Sequence, residues 1–221
     1  MKVFIVVPAY NESQRILSVI EDLRRHGYNN IIVVNDGSVD NTAEIAKQAG
    51  VVVVSHLVNR GMGAALQTGN DLAQMLGADA VVHFDGDGQM QAADIRQALN
   101  LISSGKVDVV FGSRFLGGNS SIPWTKKNIL LPVSKLINFF FTGVWLSDAH
   151  NGFRVLSARA LDKIKISYDG MAHNTEIVEQ VRRYNLPFEE IPVTIVYHHY
   201  GQSIKGGLKI LRDLILGKIL K

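Results

Sequence analysis

The chain has 221 residues, 47% of them hydrophobic, and a formal net charge of +3, so it is the size of one large domain and can bury a sizeable core. It contains no cysteine, which excludes a disulfide framework and a structural thiolate zinc site and fits a cytosolic protein. The basic residues form no aromatic-interleaved patch and no nucleic-acid motif is present, so phosphates rather than nucleic acid are the expected anions.

The apolar run after Met1-Lys2 is short and meets Pro8-Ala9-Tyr10-Asn11-Glu12 at once, which predicts a first strand and not a secretory signal. Short β-branched runs recur at Val3 to Val7, Ile31 to Val34, Val51 to Val54, Ala80 to Phe84 and Val107 to Phe111. Each is nearly continuous in apolar residues, as strands buried on both faces are. Helical patterns lie between them, at Ser13 to His26, Thr42 to Gln48, Gly63 to Leu76 and Ala92 to Ser103. This alternation predicts an α/β fold, a three-layer α/β/α sandwich around a mostly parallel sheet. In such sheets ligands bind beyond the carboxyl ends of the strands. Four polar loops are expected at that rim: Pro8 to Glu12, Asn35-Asp36-Gly37-Ser38, Asp85-Gly86-Asp87-Gly88-Gln89 and Gly112-Ser113-Arg114.

After Arg114 the alternation stops. A helical, apolar segment is expected from about Lys126 to Leu146, then Asn151-Gly152-Phe153-Arg154, a helix at Asn174 to Tyr184 and a strand at Glu190 to Tyr197. The longest apolar stretch, Ile129 to Leu146, is interrupted by Pro132, Ser134, Lys135 and Asn138 and falls short of a bilayer span. From Ser203 to Lys221 the chain carries five Lys or Arg against one Asp, with Ile204, Leu208, Leu211, Ile215 and Ile219 at helical spacing. A basic amphipathic helix of this kind lies in a membrane interface or packs on its own domain. The domain division follows: residues 1–202 as the folded domain and 203–221 as that helix.

Two aspartates one residue apart at a strand end can place oxygens around one hard cation, with the Gln89 carbonyl two residues on. Mg²⁺ and Mn²⁺ prefer such ligands and keep positions open for substrate phosphates. A plain polar turn has the same composition, because Asp and Gly are common turn formers. Asp36 can accept hydrogen bonds from a base imide or a ribose hydroxyl, and Asp40 is assigned to capping the helix near Asn41-Thr42. Asn59-Arg60-Gly61-Met62-Gly63-Ala64 reads either as a glycine-rich helix start near a ligand or as close helix packing.

The ordered set VPAYNE, VNDGS, NRGMGAAL, DGDGQ, GSRF and NGFR resembles the family-2 inverting glycosyltransferases with the GT-A fold, nearest to polyprenyl-phosphate sugar synthases of the dolichol-phosphate mannose synthase kind. The resemblance covers most of the first 155 residues. It implies transfer of a sugar from a nucleotide diphosphate-sugar to a polyprenyl phosphate, or alternatively to a hydroxyl of a growing cell-surface glycan. It further implies that Pro8, Ala9, Tyr10, Glu12, Asp36, Gly63, Asp85 and Gly86 contact the nucleotide sugar. Asp85, Asp87 and Gln89 would hold Mg²⁺ or Mn²⁺, and Arg114 and Arg154 would face phosphates, for which a planar fork is suited. Gln202 and Lys205 belong to a loop that would cover the nucleotide sugar. Asp87, Arg114, Arg154 and Glu176 are the expected catalytic set, Glu176 on the acceptor side. A hydroxyl acceptor demands a general base, for which Asp148, His150, His173 and Glu176 are candidates. A lipid phosphate, largely dianionic with a second pKa of about 6, demands none. The implied setting is cytoplasmic, peripheral at the cytosolic face of a membrane, where an integral membrane partner would supply anchoring.

Overall fold

In the computed structural model, residues 1–117, 139–140, 142–149 and 151–196 are described. In chain order they form β1 (Val3–Ala9), α1 (Ile16–Arg25), β2 (Ile31–Asn35), α2 (Thr42–Gln48), β3 (Val52–Ser55), α3 (Met62–Met75), β4 (Ala80–His83), a 3₁₀ turn (Ala92–Asp94), α4 (Ile95–Ser103) and β5 (Val109–Ser113). Then come β6 (Arg154–Ser157), α5 (Ala158–Lys163), α6 (His173–Arg183) and β7 (Phe188–Pro192). One seven-stranded sheet runs β3-β2-β1-β4-β6-β5-β7. Every pairing is parallel except those of β6, which lies antiparallel between β4 and β5.

Two-residue alternation along β1 separates two cores. Ile5, Val7 and Ala9 point to the side covered by α1, α2 and α4, while Phe4 and Val6 point to α3, α5 and α6. The expected α/β/α sandwich is therefore present, with apolar residues on both faces because both faces are covered. β3 departs from that expectation. Val53 and Val54 are half-buried and Val52 and Ser55 are exposed, because it is the edge of the sheet. β6 and α5 were not anticipated: β6 is four residues long, and its first residue, Arg154, breaks the apolar pattern.

α1 starts at Ile16, not Ser13, since the preceding backbone serves another purpose. The N–H groups of Asn11, Glu12 and Ser13 donate to the side chains of Ser38, Thr42 and Asp40 at 3.0, 2.8 and 3.1 Å, stitching the loop after β1 to the loop after β2. Asn11 takes a left-handed φ of 56° in this turn. Asp40 also accepts from Thr42 N–H at 3.0 Å, at the first residue of α2, but the N-cap position is Asn41, whose side chain makes no cap bond, so Asp40 ties the turn before the helix instead of capping it as expected. Burial alone would raise the Asp40 carboxyl, but hydrogen bonds from Thr42 and Ser13 hold it at about 2. Most of the expected Lys126 to Leu146 segment lies outside the described residues, as do His150 and 197–221 with Gln202 and Lys205.

α3 crosses β1 closely at Gly69, where an added Cβ would lie 2.2 Å from Val6 Cγ1. Alanine gains helix propensity there, worth up to about 1 kcal/mol, while overpacking costs about 1–3 kcal/mol. The clash is with a fixed β-branched side chain in the middle of the sheet, so overpacking wins. Gly69→Ala is expected to lower the urea midpoint, and an unchanged or raised midpoint contradicts this packing.

Candidate active site

The chain runs from β1 to one side of the sheet and returns to β4 on the other, so a crevice opens between their carboxyl ends. A cleft of about 300 Å³ lies there. Its walls are Pro8, Ala9, Tyr10 and Glu12 after β1, Asp36 after β2, Asn59, Gly61, Met62 and Ala65 at the start of α3, and Asp85, Gly86 and Asp87 after β4. The structure thus brings together most of the residues singled out for nucleotide and metal. Asn59, Gly61, Met62 and Ala65 were not singled out individually, although the NRGMG segment carried the signal.

Asp36 is buried and heavily bonded. Its Oδ1 accepts from His56 Nδ1 at 2.7 Å and Arg60 N–H at 2.9 Å, and its Oδ2 accepts from Gly61 N–H at 2.7 Å. These bonds hold the wall that precedes α3. Gly63, in contrast, packs away from the cleft. Its N–H donates to Asp169 O at 2.8 Å, and a Cβ there would meet Tyr168 O at 2.0 Å. Close packing is what that glycine does in this structure.

Asp85 and Asp87 share the cleft wall. Gly86 between them lies against the backbone of β1, where a Cβ would meet Pro8 O at 2.9 Å, and Gly152 lies against Asp85, where a Cβ would meet Oδ2 at 2.5 Å. Burial, then the charge of Asp87, raises the Asp85 carboxyl to about 7 despite Arg154 and Arg114 nearby. Asp87 Oδ1 accepts Gln89 N–H at 3.0 Å. The Gln89 carbonyl receives Val196 N–H at 2.9 Å, and its residue is not part of the cleft wall. Among the described residues no three His, Asp or Glu gather around a common point. A cation between these two carboxylates would relieve their repulsion and complete its shell with phosphate and water oxygens, which suits Mg²⁺ or Mn²⁺.

Neither Arg114 nor Arg154 is part of the cleft wall. Arg154 is fully buried and donates from Nη2 to Asn174 Oδ1 at 2.6 Å, so it stands behind the cleft and acts on Asp85 through the protein interior. Burial lowers its guanidinium to about 10 against the pull of Asp85 and Asp148. Beside it His83, its register partner across the sheet, is held well below its ordinary pKa by burial, then by Arg154. Arg114 forms a fork with buried Asp148, from Nε to Oδ2 at 2.7 Å and Nη2 to Oδ1 at 2.8 Å. Glu176 is buried at the first turn of α6. It accepts Ser167 N–H and Tyr168 N–H, both at 2.9 Å, and the Ser167 hydroxyl. Neither Glu176 nor Asp148 reaches the cleft wall.

A family model described as glycosyl transferase family 2 matches residues 4–165. The chain belongs to that family. It is a glycosyltransferase. The UDP-N-acetylglucosamine–dolichyl-phosphate N-acetylglucosaminyltransferase of Methanococcus voltae is 32% identical to it, over 99% of this chain and 98% of that one. The polyprenol monophosphomannose synthase of Mycolicibacterium smegmatis is 28% identical, over 95% of this chain and 83% of that one. Mannosyl-3-phosphoglycerate synthase from Rubrobacter xylanophilus superposes with a TM-score of 0.76 at 15% identity, covering 97% and 72% of the two chains. Glucosyl-3-phosphoglycerate synthase from Mycobacterium tuberculosis, solved with Mn²⁺, UDP-glucose and phosphoglyceric acid, gives 0.73 at 19%, covering 97% and 77%. These likenesses establish the GT-A fold for the glycosyltransferase.

Because the folded protein holds the Asp85 proton more tightly than an ordinary carboxyl does, that contribution to stability is present below pH 4 and lost as pH rises through about 7. In EDTA, the Tm of Asp85→Asn is therefore expected to rise relative to wild type between pH 5 and pH 8. A constant difference over that range contradicts the raised carboxyl.

Proposed function

We propose that this glycosyltransferase moves a hexose or N-acetylhexosamine from a nucleoside diphosphate to a polyprenyl phosphate, inverting the anomeric centre, at the cytosolic face of a membrane. The observation that carries the proposal is the presence of Asp85 and Asp87 in one cleft with Pro8 to Tyr10 and Asp36. Tyr10, half exposed at the mouth, offers a ring to a base, and Asp36 offers an acceptor. Asp85 and Asp87, with Gln89 beside them, would hold Mg²⁺ or Mn²⁺, which neutralises the diphosphate so that it leaves readily. Arg154 supports this arrangement from behind by stabilising the ionised form of Asp85. The names of two relatives, a dolichyl-phosphate transferase and a polyprenol monophosphate synthase, support the lipid acceptor.

The acceptor side supports the same reading. Asp148 is taken up by Arg114, Glu176 by the Ser167-Tyr168 backbone, and His173 is fully buried with Nδ1 at 2.8 Å from Gly170 O. Candidate bases so engaged are poorly placed to deprotonate a hydroxyl, whereas a phosphate acceptor is already anionic at neutral pH. Glu176 is then a residue that shapes the wall, through the loop whose Asp169 carbonyl meets Gly63. No helix among the described residues is long and apolar enough to cross a membrane. Exposed Phe139, Phe140 and Trp145, with Phe139 and Trp145 edge to face at 5.7 Å, favour contact with a lipid surface, and the basic 203–221 segment would add to it.

Asp87→Ala is expected to abolish transfer of labelled sugar to polyprenyl phosphate while the Tm stays within a few degrees of wild type. Full activity of that variant with added Mn²⁺ contradicts the proposal. Removal of 203–221 is expected to release the protein from liposomes containing anionic lipid, and unchanged flotation contradicts the membrane role of that segment.

A further inference from the structure

Asp36 is only 3% exposed, yet it forms part of the cleft wall. Each carboxylate oxygen offers about two in-plane acceptor sites. Oδ1 already receives His56 Nδ1 and Arg60 N–H, so it is full, while Oδ2 receives Gly61 N–H alone. One acceptor site remains on the whole group. His56 is fixed in this task from its other side, where Nε2 meets the Thr68 hydroxyl at 2.9 Å, and the ring is largely buried between the end of β3 and α3. The orientation of the last acceptor site is thus set by contacts from three parts of the fold.

We infer that His56 is a specificity-determining residue: by filling Oδ1 of Asp36 it leaves one acceptor for a bound base and so selects an imide edge, that of uracil or thymine, over guanine. This rests on the reading of the cleft as the nucleotide-sugar site. Guanine presents two neighbouring N–H groups, which match the two oxygens of a carboxylate as a pair. Here the second oxygen has no site to give, so one guanine N–H would be buried without a partner, a costly outcome. Cytosine and adenine present a ring-nitrogen lone pair beside their amino group, and that lone pair repels a carboxylate. An imide presents one N–H between two carbonyls. Its single donor suits Oδ2, and the two N–H groups on Oδ1 offset the negative charge that would otherwise face a flanking carbonyl.

The test is titration calorimetry of the full chain in Mn²⁺ with UDP, dTDP, GDP and CDP. UDP and dTDP are expected to bind at least about tenfold more tightly than GDP and CDP, the difference that one unmatched polar contact makes. His56→Phe keeps the ring and removes its Nδ1 donor, which frees an acceptor on Oδ1, so the preference for UDP over GDP is expected to shrink about tenfold. Thr68→Val removes only the outer contact of the ring and is expected to shrink the preference less than His56→Phe does, and an equal or larger loss overturns the role given to the His56–Asp36 bond. GDP binding as tightly as UDP in the wild type, or an unchanged preference in folded His56→Phe, overturns the inference. Should His56→Phe fail to fold, His56→Leu, which also lacks the ring donor, takes its place and is read by the same two outcomes. Absence of binding by all four nucleotides instead overturns the reading of the cleft as the nucleotide site and is distinct from either result.

Discussion

Four acidic side chains, Glu12, Asp36, Asp85 and Asp87, crowd one cleft, and the way each negative charge is offset organises the site around it. Asp36 is offset by three N–H groups of the protein itself. Glu12 is paired with Arg15 at 2.9 Å, although burial still raises its carboxyl. Asp85 has buried Arg154 behind it, which is not enough to keep its carboxyl in the ordinary range. Asp87 accepts one backbone N–H, from Gln89. The deficit of positive charge grows from the β2 side of the cleft toward the β4 side, and it is greatest where a divalent cation and a diphosphate would lie.

The sheet topology makes this crowding possible. Chain reversal between β1 and β4 leaves a crevice that no strand connection fills, and the loops that line it are fixed by bonds reaching across the sequence. Asp40 and Thr42 tie the loop after β1, Asp36 ties the start of α3, and Glu176 ties the 167–168 backbone that leads into the Asp169 contact with Gly63. The antiparallel insertion of β6 carries Arg154 into the interior behind Asp85 and places Gly152 against the Asp85 carboxylate. A side chain at 152 would displace that carboxylate. A positive charge so deeply buried is costly, and it persists here because a partly ionised carboxyl lies close to it.

The sequence alone revealed the layers, the first five strands, part of β7 and the polar rim, because those depend on short-range periodicity: a short apolar run that ends in polar or turn-forming residues is visible without any partner. β3 was misjudged as doubly buried because its valines do not reveal that it lies at the edge. β6 was invisible because four residues beginning with arginine carry too little pattern. The partners of the expected site residues were hidden in a consistent way. Arg114, Arg154 and Glu176 were recognised as chemically apt, but their actual partners, Asp148, Asn174 and the Ser167-Tyr168 backbone, lie 34, 20 and 8 to 9 positions away and leave no local trace. The same distance hid His56, which meets Asp36 only because β2 and β3 are neighbours in the sheet.

The proposed site is one cleft, in which a base would meet Asp36 and a diphosphate-bound cation would meet Asp85 and Asp87. Crystals grown with Mn²⁺ and a nucleoside diphosphate, with diffraction recorded near the manganese absorption edge, test this most directly. An anomalous peak within coordination distance of the Asp85 or Asp87 carboxylates, with the base beside Asp36, is the predicted result. A manganese peak away from both aspartates, or a nucleotide bound outside this cleft, would contradict it.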